Sequence, residues 1–391
     1  MEILHIAYEN KGRYGGMGTS IINLIDALRD SMATNHLLIP TPPKECDTNF
    51  NMILSNISTY TNDGISPLNI SRNCRLALRD IKFDIIHING IWQYSTHCAA
   101  KLCRKNNKPY VITPHGMLYP ETLHQSYWKK MPMFKIWFEK DIMKSSCMHT
   151  TCDSEKNHLR ELGYKGPIAV IGNPIKIEDI TKYKTDYKQQ TRFQQQNHYL
   201  RCKIGFLGRL HPRKNVEAIM RGMAIAHHRN DIELVVMGAG EPAYEEFLRN
   251  EAKRLGVEKQ VEFAGFVNGE DKFRRLAELS ALFVPSDMEN FGMIVPEALL
   301  VGTPVMASLG TPWKDLEDYK CGWWRDNSPE SIAKVIDEVA ETSPDELLRM
   351  GMRGRELVLD KYESSKVAAK MLKLYSWLLG QGPKPEFVYL S

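Results

Sequence analysis

Ser286-Asp-Met-Glu-Asn-Phe-Gly-Met-Ile-Val-Pro-Glu-Ala-Leu-Leu300 is the stretch on which the fold turns. A short apolar run, Ala281-Leu-Phe-Val284, precedes it, and the helical pattern that follows stops before Gly302, so the segment reads as a strand-to-helix turn. N–H groups at a helix start lack an internal partner, and the helix dipole adds partial positive charge, which together suit a phosphate. Glu289 and Glu297 are acceptors only when ionised, so they do not hold that phosphate and suit sugar hydroxyls instead. A phosphate beside sugar hydroxyls describes a nucleotide sugar.

A second stretch supplies cations. Lys203-Ile-Gly-Phe-Leu-Gly-Arg209-Leu-His-Pro-Arg-Lys214-Asn reads as a buried strand, a Gly-Arg turn and a helix start. Arg209 offers a planar fork to a diphosphate, and Lys214 a compact charge beside it. Taken alone these two are ordinary surface charges, and Glu297 alone is a carboxylate complementing the dipole at the start of its helix. In this order, each after a strand, the two segments resemble the retaining glycosyltransferases of family 4, which have the two-domain GT-B fold. Further pieces are similar to that family: Ile3-Leu-His-Ile-Ala7 followed by Gly12-Arg-Tyr-Gly15-Gly16-Met-Gly18, then Tyr110-Val-Ile-Thr-Pro-His115-Gly-Met, and Gly265-Phe-Val267. Two departures stand out. Asn290 replaces a glycine common after the first glutamate, and Ala307-Ser-Leu-Gly-Thr-Pro-Trp313 replaces a glycine-rich loop that lies near the donor in relatives.

The resemblance implies roles. Arg209 and Lys214 bind the donor's diphosphate, Glu289 the hydroxyls of the transferred sugar, and Glu297 the ribose. Amides around Asn290, Phe291, Gly292 and Met293 contact the sugar or its phosphate, with Gly15 and Gly16 approaching from the other domain. His115 faces the reacting sugar, and Phe266 and Val267 lie near the base. The implied reaction moves a hexose-type sugar from a nucleotide-diphosphate sugar to a glycan or lipid-linked glycan, with retention, in cell-surface polysaccharide synthesis. The sugar nucleotide is a co-substrate, and neither cofactor nor metal is expected, since Arg209 and Lys214 supply the charge that magnesium supplies elsewhere. Rival classes are a nucleotide-sugar epimerase on the same fold and a non-catalytic nucleotide-sugar-binding regulator. A dinucleotide-dependent dehydrogenase fits less well, because the first loop lacks a Gly-x-Gly-x-x-Gly. Gly238-Ala-Gly240 reads as a tight turn rather than a phosphate site.

Short apolar runs alternate with amphipathic stretches from end to end, the pattern of parallel sheets covered by helices. Strands are expected at 3–7, 85–88, 110–113, 148–150 and 168–171, then at 204–207, 233–237, 261–263, 281–284 and 305–307. After residue 327 only helical pattern remains, over 328–341, 344–360 and 365–379. The expected fold class is α/β: two doubly wound Rossmann-like domains facing across a cleft, residues 1–180 with 365–391 and residues 181–364, the last helix crossing back to the first domain. The linker is expected within 176–201, rich in Lys, Gln and Tyr.

The 391 residues exceed one ordinary core, and 43% are hydrophobic with no long low-complexity tract. No apolar run is long enough to cross a membrane, and Met1-Glu2 leads straight into a strand rather than a signal peptide, so a cytoplasmic protein is expected. Eight scattered cysteines read as reduced thiols. A net charge of +4 without a basic run excludes nucleic acid as the expected partner. One concentration is left, Tyr127-Trp-Lys-Lys-Met-Pro-Met-Phe-Lys-Ile-Trp-Phe-Glu-Lys140, where aromatics interleave with four lysines. It has two readings: a contact with the inner face of the plasma membrane, or a helix whose Phe134, Trp137 and Phe138 pack into the core while its lysines stay in water.

Overall fold

The computed structural model describes residues 1–7, 16–29, 31, 33–40, 56–61, 70–124, 127–177 and 202–391. The chain divides into two compact units, Met1–Pro174 with Ser364–Ser391, and Ile175–Glu363. Most of the expected linker, 178–201, lies outside the described residues.

In the first unit the strands are β1 (Glu2–Ile6), β2 (Thr34–Pro40), β3 (Ile57–Tyr60), β4 (Ile85–Asn89), β5 (Tyr110–Thr113), β6 (Cys147–Thr150) and β7 (Ile168–Val170). The second unit holds β8 (Cys202–Leu207), β9 (Ile232–Met237), β10 (Val261–Gly265), β11 (Ala281–Val284), β12 (Val305–Ser308) and β13 (Gly322–Arg325), and β14 (Val388–Tyr389) returns to the first. The sheet orders are β14-β7-β6-β5-β4-β1-β2-β3 and β10-β9-β8-β11-β12-β13. Among the described residues every strand pairing is parallel except β14 on β7.

Both sheets are covered on both faces, and the residue alternation shows how. Along the first, Ile86, Ile112, Met148 and Ile168 enter one core cluster, and Ile85, Val111, Cys147 and Ala169 enter another. In the second, Ala281, Phe283 and Met306 face one cluster, and Leu282, Val284 and Val305 face the other. Successive strand side chains point to opposite faces, so each apolar run feeds two cores.

The helix Ser364–Leu378 packs on the first unit, where Val367, Met371 and Leu374 meet Ile3, Leu24 and Val111. It also covers a polar layer one step further along the same sheet face. His5 on β1 lies opposite His87 on β4, and both are fully buried. Tyr375 Oη is 2.6 Å from His87 Nδ1, His87 Nε2 is 2.6 Å from Thr113 Oγ1, Thr113 Oγ1 is 2.8 Å from His149 Nδ1, and His149 Nε2 is 2.8 Å from the Ile171 carbonyl.

The expectation that strands end after residue 327 is corrected by β14. Val388 and Tyr389 pair with Ala169 and Ile168, and Val388 is buried. A two-residue edge strand carries no periodicity of its own and exists through its partner. β2, β3 and β13 escaped the sequence for a related reason. Thr34-Asn-His opens β2 with polar residues, β3 is only Ile-Ser-Thr-Tyr, and β13 begins with glycine, Gly-Trp-Trp-Arg.

Candidate functional site

In the second sheet, β8 lies between β9 and β11, so the order reverses at β8 and β11. Ligands of open parallel sheets bind outside the carboxyl ends of strands at such a point. The two turns singled out in the sequence leave these two ends, Gly208-Arg209 after β8 and Pro285 to Glu289 after β11. They are joined by a backbone hydrogen bond, Asp287 N–H to the Arg213 carbonyl at 2.9 Å.

Gly238-Ala-Gly240 forms the floor beneath Arg209. A Cβ on Gly238, whose φ is +149°, would come within 1.8 Å of the Gly208 carbonyl oxygen, and one on Gly240 within 2.1 Å of the Leu210 oxygen. The two backbones therefore touch, and these glycines serve close backbone packing between the two segments. Arg209 projects outward, largely exposed, with its guanidinium 3.9 Å from Glu241. Beyond it His211 caps the turn Pro212–Lys214, its Nδ1 accepting from the Arg213 N–H at 3.2 Å, and Asn215 takes a left-handed φ of 52° to start the helix Val216–Ile225. Burial holds the His211 imidazole below its ordinary value, and Arg209, Arg213 and Lys214 push it the same way, so this turn is electropositive.

The Lys214 ammonium donates to Glu289 Oε1, which also accepts from Ser286 Oγ at 2.9 Å. The Glu289 N–H is held by the Gly310 carbonyl at 2.9 Å. Gly310 permits this approach, since a Cβ there would lie 2.1 Å from the Asp287 oxygen. Glu297 sits in the first turn of the helix Ile294–Val301, largely buried, with its Oε1 2.8 Å from Lys272 Nζ. Each carboxylate expected to meet a sugar thus holds a lysine. Ser286, Lys272 and Gly310 were not among the expected site residues. Ser286 stands three residues before Glu289 and could have been found from that spacing, whereas Lys272 reaches Glu297 from a different helix, Gly269–Ala277, with no local signal.

Trp313, in the loop that departs from the family pattern, is turned into the core. It is 1% exposed, its ring packs with Phe291 and Tyr362 at centroid distances of 5.2 and 5.3 Å, and its indole N–H donates to the Phe291 carbonyl. Phe291 is itself buried, so only its backbone is available to a ligand. Trp313 shapes the 286–293 loop from below. Trp313→Phe keeps a ring and removes the donor, leaving a buried carbonyl unpaired; the expected loss is about 1–3 kcal/mol of unfolding free energy in urea titration. Unchanged stability would show that the bond contributes nothing to the loop.

Asn290, Gly292 and Met293 are half-buried along the same loop, and Gly292 adopts a φ of 76°. Phe266 and Val267 follow β10, the edge strand two places from β8; Phe266 is exposed, while Val267 packs partly into the core.

In the first unit, His115 follows β5 and has a left-handed φ of 51°, with Gly116 at 75°. Its Nε2 lies 3.3 Å from Asn89 Oδ1, and Asn89 Nδ2 donates to the Ile6 carbonyl at 3.4 Å, so β1 and β4 both orient the ring. Burial, then His149, lowers the His115 pKa to about 3, and the imidazole is neutral. The turn is fixed from behind by Glu155, whose Oε1 accepts from Gly116 N–H at 2.6 Å and whose Oε2 accepts from Thr151 N–H at 3.2 Å. Burial pushes the Glu155 carboxyl up to about 7. Gly16 opens the helix Gly16–Ala27, exposed; Gly15 lies outside the described residues.

Two largely parallel sheets of this topology, one in each unit, with cations and carboxylates at the switch point of the second, match the GT-B class of glycosyltransferases. Residues 14–179 match the Glycosyltransferase Family 4 profile, and residues 188–357 match the Glycosyl transferases group 1 profile. The chain belongs to glycosyltransferase family 4. It is 30% identical over 180 residues to the uncharacterized glycosyltransferase MJ1607 of Methanocaldococcus jannaschii, a match that spans 44% of this chain and 44% of that relative, under half of either. The O-antigen biosynthesis glycosyltransferase WclY of Escherichia coli is 24% identical over 307 residues, 75% of this chain and 79% of its own. Among solved structures, Anabaena Alr3699/HepE in complex with UDP and glucose is similar with a TM-score of 0.75 at 19% identity, over 96% of this chain and 100% of that one, a likeness of fold.

Proposed function

We propose that this glycosyltransferase takes a hexose from a nucleoside-diphosphate sugar and passes it, with retention, to a glycan or lipid-linked glycan destined for a surface polysaccharide. The observation that carries the reading is the pairing at adjacent strand ends of an electropositive turn, Arg209 to Lys214, with the carboxylate of Glu289. Arg209 and Lys214 neutralise charge that grows on the departing diphosphate, the step at which preorganised electrostatics lowers a barrier most. Glu289 accepts from hydroxyls of the sugar and Glu297 from the ribose, while His115, neutral, faces the sugar as a hydrogen-bonding group rather than a charge. The bond from the anomeric carbon to the diphosphate oxygen breaks, the bond to the acceptor oxygen forms on the same face, and the acceptor's proton passes to the leaving diphosphate. The polysaccharide assignment takes its support from relatives such as WclY, and a uridine nucleotide is the first donor to test because HepE is described with UDP and glucose.

The test is a thermal-shift comparison of UDP, GDP and ADP, since a ligand of the native state raises its apparent stability by mass action. One nucleotide is expected to stabilise the protein in EDTA as well as without it, and Arg209→Ala to abolish the shift. If the shift needed added magnesium, the cation pair would not be the neutralising group; if no nucleotide shifted the protein, the donor reading would fall.

A further inference from the structure

Residues 127–144 take no part in the site and present two faces. They run as a helix Tyr127–Met133, a π-helical turn Phe134–Phe138 and a helix Glu139–Met143. Phe134, Phe138 and Ile142, four apart, are buried in the first unit's core, the first two against Trp92. Trp137 is half-buried and stacks on His97. The core-packing reading of this segment therefore holds for its inner stripe.

It leaves the outer stripe unexplained. Trp128, Pro132, Ile136, Lys140 and Lys144, again four apart, are all exposed, and Trp128 and Ile136 reach 87% and 70%. Five lysines fall between 127 and 144 against two acids, Glu139 and Asp141. Asp141 is buried and engaged by Arg104 at 2.6 Å and His97 at 2.8 Å, so it adds nothing to the outer charge. Glu139 holds Lys135 at 2.6 Å. Lys130 turns inward to the Thr122 carbonyl at 2.6 Å and over the Trp92 ring, so the outward excess rests on Lys140 and Lys144, beside two large apolar side chains that the fold does not use.

We propose that this stripe is a docking surface for an anionic lipid bilayer, with Trp128 and Ile136 entering the headgroup boundary and Lys135, Lys140 and Lys144 lying over acidic headgroups. An indole suits the headgroup level, where its ring is sheltered and its N–H stays wet. Lysine stems lie along apolar surface while their ammonium groups stay in water. A protein partner fits less well, because the cores of protein interfaces are depleted in lysine, and a second copy would set like charges against each other. Among the described residues no helix is long and apolar enough to cross a membrane, so the contact lies on the surface. The inference is independent of the donor site.

Flotation of the full chain with vesicles tests it. Binding is expected to an equal mixture of phosphatidylglycerol and phosphatidylcholine, to weaken with salt, and to be absent with phosphatidylcholine alone. The double variant Trp128→Ser with Ile136→Ser is expected to lower the bound fraction roughly tenfold or more without changing the melting temperature, because both side chains are already in water. Lys135→Glu with Lys140→Glu is expected to remove the preference for acidic lipid. The proposal falls if wild type does not float, if the apolar double variant floats like wild type, or if a control outside the segment, Arg79→Glu with Lys82→Glu, has the larger effect. A dimer in sedimentation velocity that the apolar double variant dissolves would reassign the patch to self-contact.

Discussion

Replacing Glu289 by glutamine is expected to cut turnover roughly 10–100-fold and yet leave the affinity for nucleoside diphosphate alone unchanged or stronger. Two opposing consequences of one contact lead to this result. Glu289 Oε1 takes the Lys214 ammonium and the Ser286 hydroxyl, so in the absence of ligand the lysine's charge is largely answered by the carboxylate. Glutamine keeps the shape and the Ser286 bond but gives up the charge, which leaves Lys214 more available to a diphosphate. The transferred sugar meanwhile loses a charged acceptor, and one charge-assisted hydrogen bond of roughly 1.5–3 kcal/mol corresponds to the stated loss at about 1.4 kcal/mol per tenfold. Transfer rates with donor sugar, set beside calorimetric affinities for the nucleoside diphosphate, separate the two effects. Were nucleotide affinity to fall along with turnover, Glu289 would be holding Lys214 in place rather than competing with the phosphate for it.

That site was largely legible because its halves are local. A strand, a glycine turn and a helix start within a dozen residues carry Arg209 and Lys214, and a second such unit carries Glu289 and Glu297; strand order then brings the two together. What was illegible is what depends on contact at a distance. Lys272 meets Glu297 across 25 positions, and Gly310 receives Glu289's N–H from a loop that looked like a departure from the family pattern. The place of Trp313 was illegible for the same cause: its aromatic cluster with Phe291 and Tyr362 emerges only when three segments pack. The role of Glu155, in the family-like stretch Thr150-Thr-Cys-Asp-Ser-Glu155, was not legible either. Its role is to satisfy two backbone N–H groups in the unusual turn that carries His115, and that demand exists only once the turn is formed.

Below pH 6.5 the first unit is expected to lose stability steeply, and the buried histidines are the reason. His149 Nε2 faces a carbonyl and must donate, so its Nδ1 accepts from Thr113; the Thr113 oxygen then accepts from His87 Nε2–H, and His87 Nδ1 accepts from the Tyr375 hydroxyl. Every proton in this chain has one direction, and every imidazole is neutral. Adding a proton to His87 or His149 buries a positive charge and turns the Tyr375 or Thr113 hydroxyl proton away from its acceptor into a buried layer. Burial first, and neighbouring histidines for His87 and His115, depress all four: His5 and His149 to about 4, His115 to about 3, and His87 well below its ordinary value. Their unfolded counterparts titrate near 6.5, so between there and about pH 4 the unfolded chain binds the extra protons and each histidine lowers the unfolding free energy by about 1.4 kcal/mol per pH unit. Glu155 acts in the opposite sense, since its pKa of about 7 means the folded state keeps a proton that unfolding releases above its ordinary range; it returns up to about 1.4 kcal/mol per unit. Asn35, which bonds His5 at 3.4 Å, and Tyr375, held protonated by burial, contribute no charge in this window. The net expectation is a fall of about 4 kcal/mol per pH unit, enough to exhaust an ordinary domain's margin of about 5–15 kcal/mol within a few units. Urea titrations from pH 7 to 4.5 measure the slope, and His5→Leu, which removes one titrating group whose Nδ1 has no partner, is expected to flatten it by about one proton. A flat wild-type profile, or a slope that His5→Leu leaves untouched, would mean that water reaches this layer and that the helix Ser364–Leu378 does not seal it.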